Sequence, residues 1–274
     1  MNILSLFDGI GCAHQVLKDI GLGDKINFYF ASEIDKNSIL TSSSNHKNIY
    51  LGDIKNIFYK NDTLSNGEKS YKVKIDIILA GSPCQGFSFA GKQLAFDDPR
   101  SKLYFEFERL LKEIKPKYFF LENVKMRREY ANVISERLDI SPIILNSSLF
   151  SAQNRVRYYW TNIPQDFYVK NDVKLNSIIG EYDGIWVVPR GTNKGGLKSY
   201  NGKCPTITTS SWQHNFFYVT NGVRKTFTPE QCEQIAGLPI GYTIGSANVR
   251  IKQIGNGWSV QTVKELLKGL KKIF

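Results

Sequence analysis

Short apolar segments alternate with helical patterns over about residues 1–160, and this alternation limits the possible folds more than any other feature of the sequence. The predicted strands are residues 2–7, 26–31, 75–80, 117–122, 142–150 and 155–161. Between several of them, apolar residues recur at helical spacing, as in 13–20 and 103–114. Continuous apolar strands separated by helices are typical of a mostly parallel sheet covered on both faces. We therefore predict a Rossmann-like, doubly wound α/β domain, in which ligands bind beyond the carboxyl ends of the strands.

The pattern changes after Trp160. Residues 161–225 are rich in Gly, Asn, Ser and Thr, with short β-like pieces and one short helix predicted near 174–179. Regular patterns resume at Thr228, a predicted helix N-cap, and a last helix is predicted over about 260–273. The chain thus divides into a main domain at 1–160, a small irregular β-rich domain at 161–225, and helices at 226–274 that return to the main domain.

Charge and cysteine content narrow the function classes. The net charge of +11 fits a polyanionic partner, and it fits equally a Lys-rich surface encoded by an AT-rich genome. Residues 184–225 favour the former, because they hold six basic residues and no Asp or Glu. The four cysteines form no C-x-x-C pair, so neither a metal site nor a disulfide framework is expected. No apolar run approaches ~18 residues, so we expect no membrane span and a cytoplasmic location.

The first two predicted strands end in residues that suit a nucleoside-type ligand. "FDGIG", Phe7 to Gly11, follows the first strand and opens a helix, where glycines let a ligand approach the backbone. Asp8 would repel a phosphate but suits a cationic group, and Glu33 in "ASEID" stands where an acid accepts from ribose hydroxyls. The combination points to S-adenosylmethionine, although an ordinary turn and a surface acid remain the alternative.

Three further strand ends carry groups for chemistry on a pyrimidine. "AGSPCQGFSFAG" places Cys84 after a strand, "FFLENV" places Glu122 after another, and "QNRVR" puts Arg155 and Arg157 on one face of a third. A thiolate from Cys84 could add to carbon 6 of cytosine, with Glu122 at nitrogen 3 and Arg157 at oxygen 2 stabilising the adduct. The alternative for Cys84 is a small buried hydrophobe.

With these motifs in order, the sequence resembles the DNA (cytosine-5) methyltransferases, of prokaryotic or phage type. "LSLFDGIG", "SEID", "GDI", "GSPCQGFS", "ENV", "QNRVR", "CPTITT" and "GNGWSV" match family motifs in unpermuted order. The short segment before "CPTITT" resembles animal de novo members. The resemblance implies that the flipped cytosine is held by Cys84, Glu122, Arg155 and Arg157. It implies a cofactor site formed by Phe7, Asp8, Gly9, Gly11, Glu33, Ile34, Asp53, Ile54, Leu103, Asn256 and Val260.

The implied activity is methyl transfer from S-adenosylmethionine to carbon 5 of cytosine in a short site of double-stranded DNA, leaving S-adenosylhomocysteine. No metal is implied. Two alternatives stay open: a tRNA cytosine-5 methyltransferase, whose usual "CFT" signature is absent, and a non-catalytic DNA-binding relative. Cys204 stands where the family usually has an arginine, which leaves the anchoring of "CPTITT" open.

Trp186, Trp212 and Phe217 are expected to form the core of the small domain. Base contacts are expected from Asn193, Asn201, Gln213, His214 and Asn215.

Overall fold

The computed structural model describes residues 1–82, 103–169, 173–191 and 193–274. Its strands are β1 Asn2–Leu6, β2 Phe28–Ser32, β3 Ile49–Tyr50, β4 Phe58–Lys60, β5 Thr63–Ser65, β6 Ser70–Lys72, β7 Ile77–Gly81, β8 Tyr118–Val124, β9 Ile143–Asn146, β10 Val156–Thr161, β11 Gly184–Val187, β12 Gly196–Lys198, β13 Phe216–Thr220 and β14 Val223–Lys225. Its α-helices are α1 Cys12–Asp19, α2 Lys36–Asn45, α3 Leu103–Ile114, α4 Arg128–Leu138, α5 Asn176–Ile179, α6 Pro229–Ala236, α7 Ala247–Asn256 and α8 Val260–Leu267.

Seven strands form the central sheet, in the order β3-β2-β1-β7-β8-β10-β9. β10 is antiparallel to both of its neighbours, whereas β3, β2, β1, β7 and β8 are parallel. Side chains of the central strands alternate between two separate cores. Ile3 lies in the first together with α1 and α8, and we call it the α1/α8 core. Leu4 lies in the second together with α3, and we call it the β1/α3 core. The predicted doubly wound α/β fold is confirmed. The strand order reverses between β1 and β7, which is where such sheets bind ligands.

A second sheet, in the order β12-β11-β13-β14, lies in the segment predicted to form the small domain. Its inner face packs Ile185, Phe216 and Tyr218 against Phe227 and the α1/α8 core. Trp212 packs against the same core, as expected. Trp186 and Phe217 face each other across β11 and β13 on the opposite side of the sheet and belong to neither core. The expectation that they are core residues was therefore wrong.

Several predicted elements are confirmed and two are shortened. Helix α6 has the predicted N-cap, Thr228, which forms a capping box, and Gly237 is its C-cap. Helix α5 lies within the predicted 174–179. The strand predicted over 142–150 ends at Asn146, because the Asn146 side chain accepts from the Ser148 N–H and caps a 3-10 turn. The last helix becomes a 3-10 turn after Leu267, where Gly269 approaches the Pro164 carbonyl so closely that a Cβ would collide with it.

None of the helices in the described ranges is long and apolar enough to cross a membrane. The structure also contains a three-stranded sheet, in the order β4-β5-β6, which the sequence pattern did not predict. Its residue Leu64 is buried in the core that contains Leu4 and α3.

Candidate active site

The turns that follow β1 and β2 are joined through the carboxylate of Glu33. Its Oε2 accepts the Gly9 N–H at 2.8 Å, and its Oε1 accepts the N–H groups of Ile34 and Asp35, each at 2.8 Å. Gly9 and Gly11 have φ of +58° and +79°. A Cβ on Gly11 would lie 2.5 Å from Ser42 Oγ, so this turn needs glycine for space as well as for conformation.

Asp8 is buried beneath the same turn rather than facing the cleft. Its Oδ1 accepts from the Tyr29 hydroxyl at 2.8 Å, and its Oδ2 accepts from the Ser42 hydroxyl at 3.3 Å. Burial raises the pKa of this carboxyl to about 6, against hydrogen bonds that lower it. The predicted contact of Asp8 with a cationic group stays a prediction, and both of its oxygens already have partners inside the protein. Phe7 precedes it with a φ of 57° and packs against the β1/α3 core.

The "GDI" segment lies next to the end of β2. The Ser32 hydroxyl donates to the Gly52 carbonyl at 2.8 Å, and the Asp53 side chain accepts from the Lys55 N–H to cap a 3-10 turn. Ile54 is buried, whereas Ile34 is 70% exposed directly after Glu33. The structure therefore brings the predicted ribose and adenine segments together and leaves one large apolar side chain open beside them.

Of the remaining predicted cofactor residues, Asn256 is exposed at the end of α7. Leu103 begins α3 and packs against the β1/α3 core. Val260 begins α8 and is completely buried, so it presents no surface to a cleft in this structure. The cofactor contacts of all three stay predictions.

Arg155 and Arg157 lie on one face of the segment that leads into β10, yet their surroundings differ. Arg155 is 5% exposed, and its guanidinium donates to the carbonyls of Ile207 at 2.9 Å, Gly255 at 3.2 Å and Gly257 at 3.0 Å. It thus ties the "CPTITT" segment to the "GNGWSV" segment. Its predicted contact with the base stays a prediction, and the geometry makes it a positioning residue.

Arg157 forms an ion pair with Glu122. The two strands are antiparallel and in register at Tyr159–Glu122, so Arg157 is the diagonal neighbour of Glu122 on the same face. Arg157 Nε lies 3.0 Å from Glu122 Oε1, although the N–H does not point at the oxygen well enough to form a hydrogen bond. Their side chains are 14% and 11% exposed. The pair is therefore nearly desolvated and still reachable from one side.

Trp258 lies beside this pair and was not singled out by sequence reasoning, although it stands inside "GNGWSV". Its ring packs edge-on against Phe120 with centroids 5.3 Å apart. Its Nε1 comes so close to Gly81 that a Cβ there would lie 2.6 Å from it and 3.6 Å from Glu122 Oε2. Gly81 is in register with Glu122, so a side chain at the end of β7 would displace the indole.

Cys84 and the rest of its motif, from Pro83 onward, lie outside the described residues. The last described residue before them, Ser82, accepts through its hydroxyl from Asn123 Nδ2 at 2.8 Å. Asn123 also accepts the Val124 N–H through its own Oδ1. The end of β7, from which the Cys84 segment continues, is thereby fixed next to Glu122.

Backbone contacts anchor the "CPTITT" segment where an arginine was expected. The Cys204 N–H donates to the Ala152 carbonyl at 2.6 Å, and the Cys204 carbonyl accepts from the Asn154 N–H at 2.8 Å. The Thr206 hydroxyl donates to the Asn154 carbonyl. The small, fully buried Cys204 side chain lets the two segments pair as a parallel bridge at Gln153.

Comparison with known proteins gives consistent matches. A family model described as C-5 cytosine-specific DNA methylase matches residues 1–183. The chain is 34% identical over 188 residues to the orphan methyltransferase M.SPRI of Bacillus phage SPR, covering 63% of the chain and 39% of that protein. It is 41% identical over 164 residues to the type II methyltransferase M.BanI of Aneurinibacillus aneurinilyticus, covering 56% and 35%. The aligned part therefore spans less than half the length of these relatives.

Solved structures share the fold over the whole chain. The Entamoeba histolytica methyltransferase EhMeth superposes with a TM-score of 0.74 at 15% identity, covering 100% of this chain and 99% of that one. The S. pombe Dnmt2 methyltransferase superposes with a TM-score of 0.68 at 15% identity, with the same coverage.

Proposed function

Because the chain belongs to the C-5 cytosine-specific DNA methylase family, we propose that it transfers a methyl group from S-adenosylmethionine to carbon 5 of cytosine in double-stranded DNA. The observation that carries the proposal is the nearly desolvated pair of Glu122 and Arg157. It stands at the carboxyl end of β8, beside the end of β7 that leads to Cys84. An acid and a cation held together at this edge can meet nitrogen 3 and oxygen 2 of a cytosine ring.

The turns after β1 and β2 fit the nucleoside part of S-adenosylmethionine. A carboxylate offers about four acceptor positions, and Glu33 uses three of them for backbone N–H groups. The remaining position would accept a ribose hydroxyl, and the exposed Ile34 would cover one face of the adenine. When bound, S-adenosylmethionine supplies an electrophilic methyl group.

The proposed reaction proceeds through a covalent adduct on the cytosine. The Cys84 thiol would lose its proton to solvent, and the sulfur would add to carbon 6 while nitrogen 3 takes a proton from Glu122. Arg157 would donate to oxygen 2, and carbon 5, now part of an enamine, would take the methyl group, which leaves S-adenosylhomocysteine. Water or hydroxide from solvent would then remove the carbon-5 proton, the sulfur–carbon 6 bond would break to release the Cys84 thiolate, and the proton on nitrogen 3 would return to Glu122.

The reacting cytosine must leave the double helix before a thiol can reach carbon 6, so we propose base flipping, which costs a few kcal/mol. We propose residues 161–225 as the target recognition domain, next to a catalytic domain at 1–160. Because this segment is short, the recognised site should be about two to four bases. Arg155 would hold the recognition segment against the cofactor segment through its three carbonyl contacts.

The test is methyl transfer from labelled S-adenosylmethionine into duplex DNA and, separately, into tRNA transcripts. We expect transfer into DNA and a covalent complex with DNA that carries 5-fluorocytosine, whose fluorine cannot leave as a proton does. Cys84→Ser should lose both while keeping cofactor affinity. Transfer into tRNA alone would replace the substrate, and normal activity of Cys84→Ser would refute the covalent mechanism.

A further inference from the structure

The small sheet exposes a face that no core residue covers. We call it the outer face, and its members Trp186, Leu197, Phe217, Val219 and Arg224 lie on one side of the sheet by strand register; of these, Val219 is buried. The opposite side carries Ile185 and Tyr218, which are buried against the body of the protein. Leu197 is 54% exposed, although it lies beside two aromatic rings. Among the described residues, the outer face is therefore an aromatic surface without a partner.

Arg224 lies over the Trp186 ring of this surface. Its guanidinium carbon stands 3.6 Å from the centroid of the Trp186 ring, and its side chain is exposed on the edge strand β14. No carboxylate in the described ranges pairs with it. A guanidinium stacked through its plane keeps its N–H groups free at the rim, in the fork that matches phosphate oxygens. The indole thus fixes an arginine in the orientation that an anion requires.

The charge within residues 184–225 has a single sign, and the nearest carboxylate along the chain, Asp183, accepts from the Gly222 N–H at one end of the sheet. Residues 184–225 contain no Asp or Glu. One of their six basic residues, Lys203, is buried and donates to the carbonyls of Ser151 and Val173, so five remain at or near the surface. This charge favours an anionic occupant, and the aromatic rings favour one that tolerates aromatic contact.

The outer face is linked by packing to α7, the helix that leads into the "GNGWSV" segment of the candidate active site. The 3-10 turn Ser211–Gln213 packs on α7, and Gly255 meets the Thr208 backbone so closely that a Cβ would collide with it. His214 follows this turn and stacks on Phe217, with centroids 6.0 Å apart. The turn that carries His214 therefore joins α7 to the outer face.

We propose that the outer face docks the sugar-phosphate backbone of DNA flanking the flipped cytosine, with Arg224, held by Trp186, as a phosphate ligand. The proposal rests on the proposed function and adds which side of the small sheet meets the duplex and how. Phe217 and His214 would lie along the same strand of the duplex.

The experiment measures the affinity of the full-length protein for 20-base-pair duplexes of several sequences across a salt series. Arg224→Ala should weaken binding about tenfold for every sequence and lower the salt slope by about 0.9, the value of one phosphate contact. The matched control is Lys225→Ala, which removes the same charge from the adjacent residue on the opposite side of the sheet. It should change the affinity less than twofold.

Further variants test the stacking. Arg224→Lys should restore the salt slope but not the affinity, and Trp186→Leu should weaken binding more than Trp186→Phe. Equal effects of Arg224→Ala and Lys225→Ala would overturn the proposal, as would a loss confined to duplexes with guanine at one position, since that pattern indicates base readout. Unchanged melting temperatures of the variants exclude misfolding. If the wild type neither binds nor methylates DNA, the proposed function is refuted. If the wild type does both, and Arg224→Ala has the same DNA affinity and salt slope as the wild type, only the role proposed for the outer face is refuted.

Discussion

Replacing Arg155 with lysine separates the two roles that this residue has been given. The sequence predicts that it holds the cytosine, whereas the structure shows its guanidinium bound to the carbonyls of Ile207, Gly255 and Gly257. A lysine ammonium lacks the planar fork with which the guanidinium spans these three carbonyls, so we expect about two of them to lose their partner. Each unpaired buried carbonyl costs about 1–2 kcal/mol. The free energy of unfolding should therefore fall by about 2–4 kcal/mol.

The matched variant is Arg157→Lys, two residues further along the chain and within β10. Arg157 pairs with Glu122 at the edge of the cleft, so its replacement should change the free energy of unfolding by less than about 1 kcal/mol. It should lower the single-turnover rate of methyl transfer about 100-fold, the usual cost when a donor no longer meets developing charge, because the ammonium lacks the fixed fork of the guanidinium. Urea unfolding, cofactor binding by calorimetry and single-turnover kinetics measure the three quantities.

Arg155→Lys should show the reverse pattern, with lower stability and weaker cofactor binding, because Gly255 and Gly257 flank the predicted cofactor residue Asn256. A variant with wild-type urea midpoint and cofactor affinity, but with a single-turnover rate as low as that of Arg157→Lys, would refute this reasoning. It would return Arg155 to the base-contacting role that the sequence predicts.

Three other substitutions test the site. Glu122→Gln should lower the single-turnover rate about 100-fold with DNA affinity unchanged or higher, because an amide protonates nitrogen 3 poorly; an unchanged rate would show that the acid is misassigned. Glu33→Ala should weaken cofactor binding at least about tenfold, since three backbone N–H groups lose their acceptor, whereas the exposed Glu68→Ala should not. Burial raises the pKa of Asp8 from 3.8 to about 6, so the folded state holds this proton more tightly than the unfolded chain. The free energy of unfolding should therefore fall by up to about 3 kcal/mol as pH rises from about 4 to about 6. Asp8→Asn should abolish this fall in urea unfolding measured across that pH range. The same pH dependence in Asp8→Asn as in the wild type would contradict the assignment.

The sequence was sufficient for the parallel sheet and for the order of the motifs along it. Apolar alternation and strand-end residues are local properties, and the carboxyl ends of parallel strands meet at one edge wherever the helices pack. Glu33 and Glu122 could therefore be placed at that edge from position alone. The capping residues of α6 were readable for the same reason, since Thr228 and Gln231 act within one turn.

What the sequence could not decide is which partner each polar or aromatic side chain finds across the fold. Asp8 turns inward because Tyr29 and Ser42, distant in sequence, offer it hydroxyls. Arg155 directly precedes β10 and Arg157 lies within it, but only Arg155 meets the carbonyls of Ile207, Gly255 and Gly257. Trp186 and Trp212 look alike in the sequence, yet Trp212 packs on the core and Trp186 supports Arg224. Such choices depend on contacts between segments that only tertiary packing brings together, and a buried polar group takes whichever partner removes the cost of its desolvation.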